Sequence, residues 1–295
     1  MARVLIVGSR RSELARVQAE WALAALRRAW PGRAFEWQGV QARGDHPDEP
    51  LDKAPGAFTS ELERALLNGQ IDLAVHSMKD LPVTIAPGAA IAAVPQRADP
   101  RDALVSRDRA TLALLPRGAR VGTGSPRRRA QLLFLRPDLR VEPLRGNVET
   151  RLAQINEQNW DAVVVAMAGL LRLGLQHNAA EILDPHDMTP AAAQGALALQ
   201  VRAGDQDALR LCAPLDHKDS RAAVTAERRL LELLRAGCRG AAGAWARADA
   251  GGRLRLLGMA ASADGKAVLR VERAGSWDAP AELAAEVAEG LIRLG

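Results

Sequence analysis

Apolar and polar positions alternate along the chain with two periods, two residues and about 3.6 residues, and the switches between them predict its elements. Residues 3–7 (RVLIV) read as a short buried strand; Leu14, Val17, Trp21 and Ala24 then recur at helical spacing behind Ser12, a candidate N-cap. AFEWQGVQA (34–42) alternates as a second strand, and FTSELERALLNG (58–69) is an amphipathic helix closed by Gly69. IDLAVHS (71–77) is an apolar strand ending in polar residues. Strand, helix, strand, helix, strand predicts a mostly parallel sheet with both faces covered.

The polar, proline-bearing PQRADPR (95–101) marks a crossing between domains, after which the alternation restarts. Strands are expected at 102–106, 119–125, 139–145 and 161–170, with helices through RRRAQLLFLR and VETRLAQINEQ. Residues 190–202 complete no local pattern, so that apolar strand is expected to return to the first unit. A long helix over 219–236 opens the last segment, and two strands flank the turn ADG as an antiparallel pair before a closing helix, a small α+β arrangement. Two similar α/β halves imply a cleft between them, with ligands at the carboxyl ends of strands.

Composition narrows the partners. The chain has 295 residues, 48% hydrophobic, with 40 basic against 35 acidic side chains, an excess too small to argue for nucleic acid. Tyrosine is absent and phenylalanine occurs three times, whereas a nucleic-acid binder would need aromatic platforms or a concentrated basic face. The N-terminus does not read as a signal peptide and no apolar run approaches a membrane span, which points to a cytoplasmic protein without a membrane partner. Its two cysteines, Cys212 and Cys238, stand in no metal-ligand spacing, so no metal site is expected.

Arginine placement carries the chemistry. In VGTGSPRRRAQ (121–131), Ser125 is a candidate N-cap and Pro126 the first helical residue, which puts Arg127 and Arg128 in a first turn where free N–H groups and the helix dipole favour an anion. A solvated basic helix start fits the same residues, whereas a P-loop and a dinucleotide fingerprint are excluded by the absence of their glycine and lysine spacings. Arg129, further round the helix, is expected to face solvent. Arg10 follows the first strand, Arg145 stands at another strand end with Asn147 as cap and Arg151 one turn on, and Arg172 lies beyond a fourth strand. Guanidinium forks at four strand ends suit a ligand bearing many carboxylates. In VHSMKDLP (75–82), Lys79 and Asp80 are either a surface ion pair or, among so many arginines, a carboxylate kept as proton donor and cation stabiliser. His76 reads as a strand-end histidine. Cys238, between glycines and arginines, is either a small buried hydrophobe or an exposed thiol, and Cys212 among leucines is the core thiol.

Taken together and in order, GSRRSELARVQ, DLAVHSMKDLP, DPRDALVS, VGTGSPRRRAQL, LRGNVETRL, AGLLRLGL, AAAQGALALQ and TAERRLLELLRAGC resemble the porphobilinogen deaminase family over nearly the whole chain. The resemblance implies an α/β fold of three domains, the first two like type II periplasmic binding proteins with a double crossing and the third a small α+β domain. The corresponding boundaries are 1–97 with 195–215, 98–194 and 216–295. It implies a monomeric, cytoplasmic transferase of tetrapyrrole (haem) biosynthesis that joins four porphobilinogen molecules head to tail with loss of ammonia and hydrolyses the chain to hydroxymethylbilane. It also implies a covalent dipyrromethane cofactor held by a thioether to Cys238, and Asp80 as the catalytic group. Arg10, Ser12, Ser77, Lys79, Thr123, Ser125, Arg127, Arg128, Arg145, Gly146, Arg151, Arg172 and Gln194 would bind cofactor and substrate, with Phe58 in a lid and His76 secondary. KAPGAFTSEL (53–62) departs from the family's glycine- and lysine-rich lid stretch, Pro126 replaces a usual leucine, and GCRGAAGAWA keeps the cysteine but little else. A non-catalytic, two-lobed anion-binding protein is the alternative; it leaves Asp80 and the third domain without a use.

Overall fold

The computed structural model describes residues 3–41, 59–157, 159–235 and 241–295; Phe58, Cys238 and most of the lid stretch lie outside the described residues. The chain divides into two compact units, Met1–Arg97 with Ala196–Arg221 and Ala98–Gly195 with Ala222–Gly295.

The first unit is built on a five-stranded sheet of β1 (Leu5–Arg10), β2 (Phe35–Val40), β3 (Leu73–Ser77), β4 (Ala89–Ala93) and the late strand β10 (Leu197–Arg202), in the order β2-β1-β3-β10-β4. Strand pleating sends Leu73 and Val75 to one face, where they meet Leu23 and Leu26 of helix α1 (Glu13–Ala29) and Leu211 of helix α6 (Gln206–Cys212). Ala74 faces the other way, against Leu62 and Leu66 of helix α2 (Ser60–Leu67). Each of these leucines is at most 4% exposed, and burial of such a side chain is worth roughly 1.5–3 kcal/mol. Gly8 leaves room for Ile71, whose Cδ1 would lie 2.5 Å from a Cβ at that position and would have to shift.

The second unit repeats the arrangement. Strands β5 (Asp102–Ser106), β6 (Arg120–Gly122), β7 (Arg140–Glu142), β8 (Ala162–Ala166) and β9 (Glu181–Ile182) are ordered β7-β6-β8-β5-β9. Helix α3 (Pro126–Leu135) covers one face through Leu132, and α4 (Val148–Glu157) and α5 (Met167–Arg172) cover the other through Ile155 and Leu170. The unit also contains a three-stranded antiparallel sheet, β11 (Ala242–Ala248), β12 (Leu254–Ala261) and β13 (Val268–Gly275), packed with α7 (Lys218–Leu233) and α8 (Pro280–Leu294) around Leu230, Leu256, Val287 and Leu291.

Both large sheets are mixed rather than mostly parallel: β1 pairs in parallel with β2 and β3, whereas β10 runs antiparallel to β3 and β4, and β5 does the same between β8 and β9. The reason lies in connectivity. A local strand–helix–strand unit forces parallel pairing, but β5 and β10 are each delivered from the other unit and carry no such constraint. The apolar run 161–170 is also not one strand, since it turns helical at Met167; a continuous apolar stretch has no period to separate the two states. Strands β4 and β11 carry alanines (AAIAA, AGAWARA) and so gave little strand signal.

Candidate active site

In the first unit, β3 ends at Ser77 and a single 3-10 turn, Met78–Asp80, swings the following side chains back over the strand end. Asp80 lines a small, partly open pocket together with Arg10, His76, Ser77, Gln18 and Thr59. Ser12 and Lys79 are half-buried next to these residues in the chain but outside the pocket lining. The walls are polar and held from behind. Gln18 is 2% exposed and hydrogen-bonds Ser77 Oγ at 2.9 Å. Thr59 is 1% exposed, and its hydroxyl has no hydrogen-bond partner among the described residues.

His76 is fixed in one tautomer by a chain of acceptors. The carboxylate of Glu63 accepts from Gln200 Nε2 at 2.8 Å, which leaves the Gln200 carbonyl oxygen to accept from His76 Nε2 at 2.9 Å. Burial drives the imidazole pKa down to about 4, against the pull of the Gln200 hydrogen bond and with help from Arg10. His76 is therefore neutral at physiological pH, and Arg10 and Asp80 are the charged side chains among the described residues of the pocket lining.

The second unit holds the arginine helix start. Ser125 caps α3, its hydroxyl accepting from Arg128 N at 3.4 Å, and Thr123 Oγ1 accepts from Ser125 N at 3.2 Å. Arg127 and Arg128 do not form a solvated basic helix start: their side chains are 5% and 6% exposed and both close on Asp102, which is fully buried. Arg128 Nε and Nη2 donate to Asp102 Oδ1 at 3.1 and 2.6 Å, and Gln194 Nε2 donates to the same oxygen at 2.8 Å. Arg127 Nη1 lies 2.9 Å from Asp102 Oδ2 but directs its hydrogen bond to the Thr189 carbonyl, at 2.6 Å. Burial alone would raise the Asp102 pKa, yet the two guanidiniums hold it far below the carboxylate range. Directly after Arg101, an acid at a strand start was easy to pass over as a surface charge; the available signal was the apolar run Ala103–Val105 that follows, since a buried acid requires a cation.

The other arginines sit differently. Arg145 is exposed, and Arg151 Nε donates to the Gly146 carbonyl at 2.8 Å, with Asn147 capping α4 through Thr150 N. Gly146 has φ +113° and a Cβ there would lie 2.8 Å from Thr150, so no other residue fits without strain. Arg172 donates to Gly195 O at 2.7 Å, and burial lowers its pKa to about 10. Arg129 does more than face solvent: Nη1 donates to Ala263 O, at the β12–β13 turn, at 2.7 Å.

Residues of the third sheet approach the cluster directly. Gly243 of β11 lies where a Cβ would come 2.8 Å from Pro190 O, 2.9 Å from Thr189 O and 3.2 Å from Arg127 Cδ. The strand that begins four positions past Cys238 thus packs on the arginine that heads α3. Glu227 of α7, fully buried, accepts from Ala193 N at 2.6 Å and from Ala246 N at 2.7 Å, pinning the stretch before Gly195 to this sheet. Cys212 is 2% exposed, and burial pushes its pKa up to about 12. No helix among the described residues is long and apolar enough to cross a membrane.

Comparison with known proteins places these motifs in a family. The family model described as porphobilinogen deaminase, dipyromethane cofactor binding domain matches residues 5–210, and that described as porphobilinogen deaminase, C-terminal domain, matches residues 221–293. The chain is 47% identical over 298 residues to the porphobilinogen deaminase of Roseiflexus castenholzii, covering 100% of this chain and 98% of that one. It is 44% identical over 293 residues to that of Thermus thermophilus, covering 99% and 97%. Among solved structures, it is similar to the periplasmic aliphatic sulphonate binding protein SsuA of Escherichia coli, with a TM-score of 0.41 and 17% identity over 80% of this chain and 71% of that one.

Proposed function

Since the chain belongs to the porphobilinogen deaminase family, we propose that its Asp80 pocket is where ammonia leaves porphobilinogen and that its buried arginine pair holds a carboxylate of the cofactor. The enzyme is a hydroxymethylbilane synthase: it joins four porphobilinogen molecules head to tail with loss of ammonia and hydrolyses the chain to hydroxymethylbilane. Its cofactor is dipyrromethane.

The observation that carries the site reading is the pairing of Asp80 with a neutral His76 in one polar pocket. The aminomethyl group of the substrate arrives as an ammonium, and breaking its C–N bond leaves a cationic carbon; a lone carboxylate stabilises both. A protonated His76 would oppose that cation; burial keeps the ring neutral, and the Glu63–Gln200 chain fixes its orientation. Arg10, with Ser12, Ser77 and Lys79 around it, would bind the acetate and propionate groups of the incoming pyrrole.

The residues of the second unit fit dipyrromethane by charge, because two buried guanidiniums face one internal carboxylate and retain a net positive charge. Arg127 and Arg128 would hold it, supported by Thr123, Ser125 and Gln194, and Cys238 would anchor it through a thioether. Packing of β11, just past Cys238 in the chain, on Arg127 supports this assignment. When bound, dipyrromethane supplies the pyrrole carbon to which the first substrate is joined. Arg145, Gly146, Arg151 and Arg172 would take the carboxylates of the growing chain. The reading includes a cytoplasmic monomer with a carrier domain over 216–295.

Asp80→Asn is expected to fold and to keep the mass of two pyrrole units while losing about 10²–10⁴-fold in turnover. Cys238→Ala is expected to show the bare polypeptide mass. Near-normal turnover of the first variant, or a pyrrole mass retained in the second, overturns the assignment.

A further inference from the structure

Arg127 and Arg128 bring two positive charges into a place where nearly all water is excluded, and Asp102 brings one negative charge. Among the described residues, Asp102 and Arg128 are the charged groups that act on the proton affinity of Arg127. The division of labour within the carboxylate is uneven. Oδ1 receives three directed N–H groups, two from Arg128 and one from Gln194, whereas Oδ2 faces Arg127 without a directed hydrogen bond. Arg127 is held in place by the Thr189 carbonyl and by the close approach of Gly243, and Arg128 by the Val164 carbonyl at 2.8 Å. Among the described residues the second positive charge has no carboxylate of its own, and a buried charge left so is strongly destabilising, so the pair favours one more anion.

We propose that Asp102 is a resident counter-ion and positioning residue: it fixes the forks of Arg127 and Arg128, cancels one of their charges, and leaves the pair matched to a single further carboxylate. The proposal rests on the reading of these arginines as carboxylate-binding groups. It assigns to the strand start at 102 the role of setting how much negative charge the site accepts. A ligand presenting one carboxylate brings the cluster to neutrality, and a second would be repelled by Asp102 itself.

The test uses the full chain produced in a host that makes no porphobilinogen, with its bare mass confirmed, as wild type, Asp102→Asn and Arg127→Met. Melting is followed in sodium chloride and in sodium acetate at equal ionic strength. Asp102→Asn is expected to melt at least about 5 °C lower in chloride, and acetate is expected to raise its midpoint by more than that of wild type. Arg127→Met, whose cluster is neutral, is expected to melt at or above wild type and to gain nothing from acetate over chloride. Equal acetate responses in the three proteins, or Arg127→Met melting below wild type, overturns the counter-ion role; where Asp102→Asn gives no folded protein, the Arg127→Met comparison decides alone. Porphobilinogen is then added and the mass gain followed. Loading of Arg127→Met at the wild-type rate removes the parent reading. Failed loading with an unaltered melting pattern in Asp102→Asn removes the present proposal alone.

Discussion

Exchange of His76 for glutamine tests how the Asp80 pocket is kept free of a second positive charge. Glutamine can still donate to the Gln200 carbonyl but has no proton to gain, so the variant isolates titration from hydrogen bonding. In the folded chain burial holds the imidazole pKa at about 4, from an ordinary 6.5, with Gln200 opposing and Arg10 reinforcing the fall. The unfolded chain therefore takes up the proton first. Stability from this group is complete above the unfolded pKa and is lost as pH falls toward the folded one, because the unfolded state binds more protons throughout that window. A gap of about 2.5 units corresponds to roughly 3 kcal/mol over the whole window, of which about 2 kcal/mol is lost between about pH 7 and about pH 5. Urea unfolding of both proteins near those two pH values, read by tryptophan fluorescence, gives the difference directly. Wild type is expected to lose about 2 kcal/mol more than His76→Gln on acidification. PH slopes agreeing within about 0.5 kcal/mol would refute the buried neutral imidazole, since no other difference between the two proteins titrates there.

Two further outcomes follow from buried groups. With its pKa near 12, Cys212 has a thiolate fraction on the order of 10⁻⁴ at about pH 8, so iodoacetamide is expected to leave it unmodified in the native chain and to alkylate it once unfolded; comparable rates in the two states would contradict its burial. Glu227→Gln loses one of two charge-assisted bonds to Ala193 N and Ala246 N and turns an amide donor toward a donor, with an expected cost of roughly 2–4 kcal/mol in chemical denaturation; a cost below about 0.5 kcal/mol would show that the crossing stretch is held by other contacts.

Much of the architecture was legible because it is local. β1, α1, β2, α2 and β3 each carry their own period, and Asn147 and Ser125 cap the helices that their spacing announces. What could not be read was set by distant partners. The direction of β10 depends on β3 and β4 rather than on anything in residues 197–202. Arg127 and Arg128 turn inward because Asp102, on another strand, offers a buried carboxylate, and side-chain direction on a helix start carries no record of that. His76 was legible as a strand-end residue, but its neutrality is made by burial, and the Glu63–Gln200 chain that orients the ring comes from other elements of the fold.

The place of β10 between β3 and β4 also bears on how the chain is made. On a ribosome the first sheet cannot close until Leu197–Arg202 has emerged, because β4 finds its hydrogen-bonding partner only in β10 and β3 keeps one bare edge until then. The strands of the second large sheet all fall within residues 102–182, so that sheet is complete earlier although it starts later. Synthesis therefore runs opposite to closure: the half carrying Asp80 waits, with an open strand edge exposed to self-association, for the half carrying the arginines to be translated.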